Sequence, residues 1–300
     1  MPDVTFDGRV AIVTGAGGGL GRAHALLLAE RGARVVVNDL GGSAAGEGSS
    51  DSAANRVVAE IEAAGGTAVS NHDSVATPDG GAAIVQAALD AFGAVDIVVN
   101  NAGFLRDQSF AKMTTENIDA IIDVHLKGAF YVSRPAYAVM KERGFGRFVH
   151  TTSAAGLFGN FGQANYAGAK MGLVGLSNVI AIEGAKSNVC SNVIAPLAKS
   201  RLTEDLMGPM ADVLQPEQVS GLVAYLCSPQ STVSHEVFSV GGGRIARVFV
   251  GLGPGWEAGK GEVPSPEDVA ANLDAIRSTD GFTIPGQATD EMMALAHLFQ

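Results

Sequence analysis

Apolar positions along this chain recur with two periods, and the two alternate. Residues 9–13 (Arg-Val-Ala-Ile-Val) are a short β-rich run ending in glycines. Residues 20–31 then set Ala23, Leu26 and Leu27 on one side of a helix, and residues 34–38 form a second apolar strand. Strand, glycine turn, helix, strand is a βαβ unit, which favours a parallel sheet. A Gly/Ser-rich loop over 41–50 follows. The alternation then continues with a helix over 51–64 (Val57, Val58 and Ile61 inward), a strand over 67–71 and a helix over 80–92. A strand over 96–99 precedes a long helix over 114–143, expected to kink or break near Pro135. The spacing further predicts strands at 147–151, 189–194 and 236–240 and helices at 165–186 and 217–226, the last opened by Pro216. Near-continuous apolar strands such as residues 96–100 suit a sheet covered on both faces. The fold class expected is α/β, a doubly wound parallel sheet with helices on both faces and a short helical C-terminal extension.

The character changes after Gly243. Residues 251–266 are rich in Gly and Pro and read as a linker. Ser265, Pro266 and Asp268 then look like a helix start, a capping residue followed by a first-turn proline and a capping-box partner. Val269, Leu273 and Ile276 make a narrow apolar stripe, and a last short helix is expected over 290–299. Residues 1–243 are expected to form the dinucleotide-binding catalytic domain. Residues 244–300 would form an extension packing on the core or on a neighbouring subunit.

Composition narrows the classes. Apolar residues are 47% and charged residues 17% of the 300, a globular balance. Net charge is −11 with no basic stripe, which argues against nucleic acid. Cys190 and Cys227 are too few for a disulfide framework or a zinc cluster, and no metal site is expected. They read as small buried residues in a reducing compartment. The first residues lack a basic segment followed by an apolar stretch, and no apolar run approaches ~20 residues. A soluble, cytoplasmic protein is expected.

Candidate chemistry begins at the first strand–helix turn. Thr14-Gly15-Ala16-Gly17-Gly18-Gly19-Leu20-Gly21 fits T-G-x-x-x-G-x-G through Gly15, Gly19 and Gly21; with Gly18 it also fits T-G-x-x-G-x-x-G. Side-chain-free positions let the main chain approach a pyrophosphate, and the helix N-terminus offers unpaired N–H groups. The expectation is a Rossmann-like dinucleotide site. Asp39 ends the second strand, where a carboxylate can accept from an adenine ribose and repel a 2′-phosphate. Leu40 and Gly41 follow it, with no arginine there, so NAD is favoured over NADP. Asp73 is a weaker candidate, for the adenine amino group.

Ser153, Tyr166 and Lys170 are the decisive set. Tyr166 and Lys170 are four residues apart on a predicted helix and share a face. A phenol titrates near ~10, and a neighbouring ammonium together with an oxidised nicotinamide would lower that toward a working range. Tyr166 is then the general acid–base and Ser153 the group that holds the substrate oxygen.

These residues bring the chain into a family. Over about residues 6–243 it resembles the short-chain dehydrogenases/reductases, through Thr14–Gly21, Asp39, Asn100-Asn101-Ala102-Gly103, Ser153 and Tyr166-Ala167-Gly168-Ala169-Lys170. The resemblance implies that Lys170 also binds the nicotinamide ribose and that Asn101, Ala102 and Gly103 line the cofactor cleft. It further implies that main chain near Ile194 and Pro196, with Thr203, holds the carboxamide and phosphate. Two positions depart. Val124-His125-Leu126-Lys127-Gly128 stands where the family has Asn in a proton relay, so His125 either keeps that role or is a hydrogen-bonded core residue. Leu197 stands where Gly is usual.

A narrower likeness is to the (3R)-hydroxyacyl-CoA dehydrogenase units of peroxisomal multifunctional enzymes type 2. It is carried by Phe6-Asp7-Gly8-Arg9, residues 38–42, Leu105-Arg106-Asp107, residues 124–126 and residues 159–166. It implies oxidation of a 3-hydroxyacyl thioester, with a hydroxysteroid or other bulky alcohol as the alternative. A non-catalytic NAD-binding regulator is the reading from another class. Leu202, Leu206, Met207, Met210 and Leu214 form either a mobile lid over an apolar substrate or an ordinary packed helix. Arg106 and Arg201 are candidates for CoA phosphates. Family resemblance implies a homodimer or homotetramer.

Overall fold

Side-chain alternation along the strands sorts the core into two layers. In the computed structural model, which describes residues 3–43, 46–198 and 213–296, β1 (Val10–Thr14) is buried along its whole length. Its odd-numbered Ala11 and Val13 join Val35, Val37, Ile97 and Val99 under one set of helices. Its even-numbered Val10 and Ile12 join Val36, Val98 and Phe148 under the other. Opposite Cβ directions along a pleated strand produce this division. α1 (Gly19–Glu30), α2 (Ser52–Ala63) and α8 (Glu217–Cys227) cover the first face through Leu28, Ile61 and Val223. α3 (Pro78–Phe92), α5 (Gly128–Arg143) and α7 (Ala164–Gly184) cover the second through Ile84, Met140 and Ile180.

The remaining strands are β2 (Arg34–Asn38), β3 (Thr67–Asn71), β4 (Ile97–Asn100), β5 (Gly146–Thr151), β6 (Val189–Pro196), β7 (Val237–Gly241) and β8 (Arg244–Val248). They make an eight-stranded sheet in the order β3-β2-β1-β4-β5-β6-β7-β8. Every pairing from β3 through β7 is parallel. β8 was not expected from the sequence. It follows β7 through Gly242 and Gly243 at φ 58° and 78°, two successive positive values that suit a tight hairpin.

The long helix expected over 114–143 is three pieces. α4 (Thr115–Ile122) and α5 are joined by a π turn, Asp123–Lys127, and α5 runs on through Pro135. The interruption therefore lies upstream of the proline, at a widened turn that carries His125. A five-residue helix, α6 (Ala154–Phe158), also went unforeseen. Cys227 is a buried thiol, pushed up to about 12 by burial, while Cys190 is partly exposed.

The chain divides into two compact units, Met1–Arg247 and Val248–Gln300. Within the second, Leu252 and Thr283 exchange backbone hydrogen bonds, both 2.9 Å, and Phe249 stacks on Phe282. α9 (Pro266–Ala271) opens with Ser265 and Asp268 in a capping box, followed by α10 (Leu273–Arg277) and α11 (Ala288–Ala294). No helix among the described residues is long and apolar enough to cross a membrane.

Candidate active site

The strand order reverses between β1 and β4, so the chain leaves their C-terminal ends toward opposite faces of the sheet and a crevice opens between the two connections. A cleft of about 560 Å³ lies there. Its walls come from the residues that follow β1 to β6.

The glycine loop leaves β1 at Thr14. Gly15 has φ 65°, and a Cβ on it would lie 2.7 Å from Ala102 Cα. A Cβ on Gly17 would lie 2.8 Å from the Asp39 carboxylate, and one on Gly21 would strike the Gly15 carbonyl. Those glycines let the loop pack on its own protein neighbours. Gly18 differs: it lines the cleft, and nothing stands within 4 Å of where its Cβ would be. Gly19 and Leu20 line the cleft as well, and α1 opens without a side-chain cap. Its first-turn N–H groups suit an anion.

Asp39 has a structural task that the sequence reading missed. Its Oδ2 accepts from Gly17 N–H at 2.8 Å and its Oδ1 from Gly41 N–H at 2.7 Å, clamping both loops at this end of the cleft. Each carboxylate oxygen keeps a second acceptor site. The fold also brings in an arginine that the local sequence did not show, since Arg56 Nη2 donates to Gly17 O at 3.5 Å. Asp73 lines the cleft too, but its Oδ2 already accepts from Asn71 Nδ2 at 2.7 Å.

Asn101 acts as a strut. Its Nδ2 donates to Thr14 O at 3.1 Å and Gly15 O at 3.2 Å. Thr14 Oγ1 accepts from both Asn101 N–H (3.0 Å) and Ala102 N–H (3.1 Å), tying the ends of β1 and β4 together. Gly103 is required by His125, because a Cβ there would overlap the imidazole.

Ser153 follows β5 and caps α6, its Oγ accepting from Ala155 N–H at 3.2 Å. Its hydroxyl also lies near enough to the Tyr166 phenol to pull that group's pKa down. Lys170, one helical turn on, is buried and donates from Nζ to Thr151 O at 2.6 Å. That nitrogen is 5.5 Å from the Tyr166 ring centroid. Thr152 Oγ1 donates back to Lys170 O at 2.6 Å, so α7 is fastened to the end of β5 twice. Ser153, Tyr166 and Lys170 thus come together at one end of the cleft.

The electrostatics differ from expectation. Burial raises the Tyr166 phenol above its ordinary value; the neighbouring Ser153 hydroxyl opposes this and the Asp107 charge adds to it. Burial also brings Lys170 down to about 7. The protein's own groups therefore do not make the phenol acidic.

His125 is buried beside them. Burial, and after it the Lys170 charge, hold it well below 6.5, against an opposing hydrogen bond with the Phe104 backbone. Its Nε2 is 2.7 Å from Phe104 O and 3.1 Å from Phe104 N, and its ring meets Tyr166 edge-on at 5.2 Å. A neutral imidazole wedged against the tyrosine is what the π turn delivers.

Pro196 lines the cleft at the end of β6. Leu197 extends the ladder by one bond, from its N–H to Val240 O at 2.8 Å. Thr203, Arg201, Leu202, Leu206, Met207 and Met210 lie outside the described residues. Phe104 and the Thr151–Thr152 pair were not picked out from the sequence; the only signal was their place at or shortly beyond the C-terminal ends of β4 and β5.

Comparison with known proteins agrees with this geometry. A profile of the short chain dehydrogenases matches residues 9–206. A short-chain type dehydrogenase/reductase of Mycobacterium tuberculosis is 51% identical over 287 residues, covering 95% of this chain and 99% of that one. Peroxisomal multifunctional enzyme A of Dictyostelium discoideum is 49% identical over 293 residues, 97% of this chain and 65% of that one. The structure of full-length peroxisomal multifunctional enzyme type 2 from Drosophila melanogaster superposes with a TM-score of 0.82 at 36% identity, covering 98% of this chain and 50% of that chain. This chain spans about two thirds of the Dictyostelium relative and half of the Drosophila one. With the family profile, these relatives and the sheet order in agreement, the chain belongs to the short-chain dehydrogenase family of oxidoreductases.

Proposed function

We propose that this oxidoreductase uses NAD to interconvert a (3R)-hydroxyacyl-CoA and the corresponding 3-oxoacyl-CoA. The observation that carries the reading is the convergence of Ser153, Tyr166 and Lys170 on a cleft that Asp39 also lines, with Lys170 Nζ fixed on Thr151 O and 5.5 Å from the centre of the phenol ring. The donor set fits a dinucleotide: uncapped N–H groups at α1, an open cradle at Gly18, and a carboxylate with spare acceptor capacity. Gly15, Gly18, Gly19 and Leu20, which line the cleft, would hold the phosphates, with Gly17 and Gly21 shaping the loop behind them. Asp39 would hold the adenosine ribose, and Asn101, Ala102, Gly103, Lys170 and Pro196 would form the nicotinamide end. When bound, NAD would supply the hydride acceptor and, in its oxidised form, a second positive charge beside that of Lys170.

The chain's own residues supply the rest. Ser153 Oγ–H donates to the substrate oxygen and orients it. Tyr166 takes the hydroxyl proton during oxidation and returns it during reduction. Lys170, near 7, passes between its charged and neutral forms in the working range and can stabilise the phenolate. The thioester substrate is supported by the peroxisomal multifunctional enzymes among the relatives, including one from mouse at 58% identity over 191 residues. Self-association into a homodimer or homotetramer belongs to the same proposal, supported by the exposed Phe130, Met171 and Val179 on α5 and α7. So does a cytoplasmic location, supported by two free thiols; the peroxisomal names of several relatives favour the organelle instead.

NADH formation, followed for (3R)-hydroxyacyl-CoA and a hydroxysteroid with each of NAD and NADP, tests the reading. The acyl thioester with NAD is expected to win. Turnover of the steroid alone would displace it. Tyr166→Phe is expected to lower kcat by about 10²–10⁴-fold, and full activity in that variant would remove the assigned acid–base.

A further inference from the structure

Two loops at the mouth of the cleft present phenylalanines to solvent. Phe158, the last residue of α6, is 71% exposed, and Phe161, in the turn before α7, is 90% exposed. Phe110, on the loop bonded to that turn, is 81% exposed. A single exposed ring needs no explanation, whereas several on loops built to hold them do. The loops are built: Gln108 N–H donates to Gly162 O at 2.8 Å, Gln163 Nε2 to Asp107 Oδ2 at 2.8 Å, and Asn160 Nδ2 to Gln163 Oε1 at 2.9 Å. Gly159 and Gly162, at φ 82° and 79°, make the turns that leave Phe161 outward between them.

Phe158 connects this rim to the chemistry. It lines the cleft together with Ser153 and Ala155 of the same short helix. At about 1.5 Å per residue, it lies roughly 7.5 Å along α6 from Ser153. A substrate whose reacting carbon sits between Ser153 and Tyr166 meets Phe158 only if it extends well beyond that carbon, and the turn that carries Phe161 borders the same cleft through Gly159, Asn160 and Gln163. We propose that Phe158 and Phe161 seat the distal methylenes of a long acyl chain and so set the enzyme's chain-length preference. This rests on the acyl-thioester reading above. Continuity of the rim with the reacting end of the cleft favours a substrate chain over a second copy of the protein as its occupant.

The test is the ratio of kcat/KM for (3R)-3-hydroxyhexadecanoyl-CoA to that for (3R)-3-hydroxybutyryl-CoA. It is measured in the wild-type enzyme, in Phe158→Ala, in Phe161→Ala and in the double variant. Loss of one apolar seat is expected to lower the ratio about tenfold, with a larger fall in the double variant. Equal losses on both substrates leave the ratio at its wild-type value and overturn the proposal, because the rim then serves the thioester end common to both. A change of oligomeric mass in sedimentation on either substitution would give the rim to a second copy and also overturn it. If the wild-type enzyme turns over neither thioester, the functional reading itself fails and takes this inference with it; an unchanged ratio in active enzymes defeats this inference alone.

Discussion

Replacing Lys170 with methionine should abolish catalysis and stabilise the fold, with the gain set by pH. The side chain is 3% exposed, and burial brings its ammonium from 10.5 to about 7. That difference corresponds to about 5 kcal/mol against the charged form. Near pH 6 the folded lysine is charged and carries nearly all of this penalty. Methionine is comparably long and carries no charge, but it leaves Thr151 O without the bond it now accepts at 2.6 Å. An unpaired buried carbonyl costs about 1–3 kcal/mol. The expected net gain for Lys170→Met is therefore about 2–4 kcal/mol near pH 6. The sign with pH follows from proton binding. The unfolded chain, with an ordinary lysine, holds the proton more tightly than the folded one. Wild-type stability from this group thus rises with pH between about 7 and about 10.5. The variant's advantage should shrink to near zero by about pH 9, where roughly 2 kcal/mol of the penalty is left to set against the lost bond. Denaturant unfolding of both proteins at the two pH values measures this, and titrating groups common to both cancel in the difference. A variant less stable than wild type near pH 6, or a difference that does not change with pH, would refute the reasoning.

Other outcomes follow from the same contacts. Asp39→Ala should raise the NADP-to-NAD ratio of kcat/KM by about tenfold or more, since a hydrogen bond to a charged group is worth about 1.5–3 kcal/mol and Arg56 is already beside Gly17; an unchanged ratio would take Asp39 out of cofactor selection. Gly103→Ala should destabilise by about 1–3 kcal/mol through overlap with the His125 ring. Pairing it with His125→Ala should recover part of that loss in a double-mutant cycle, and strict additivity would count against the contact. The His125 ring should stay neutral, with no NMR titration near 6.5, because burial holds its protonated form off; a midpoint at the ordinary value would reopen its place in proton transfer.

Much of this architecture could be read from the chain because the relevant forces are local. Strands such as Arg34–Asn38 and Thr67–Asn71 have β-branched or apolar runs bounded by turn residues, and their observed limits match the expected ones. The capping box at Ser265 is written in four consecutive residues. What escaped notice depends on distant partners. The π turn at Asp123–Lys127 and α6 leave no periodic signature, one being a single widened turn and the other five residues long. Asp39 was read as a ligand for a ribose, while its bond to Gly17 spans 22 positions and appears only once β1 and β2 lie side by side. The phenol's environment was misjudged for a related reason: four-residue spacing puts an ammonium near Tyr166, but it cannot reveal that both groups are buried.

The double fastening of α7 to β5 has a consequence for how such a molecule can diversify. Main-chain oxygens of Thr151 and Lys170 receive both bonds, so the separation of the reacting groups is fixed by scaffold rather than by surrounding loops. The segments carrying Phe110, Phe158 and Phe161 can then be rebuilt for molecules of other shapes while the proton-handling machinery keeps its alignment. Such a division lets new tastes evolve on an old engine.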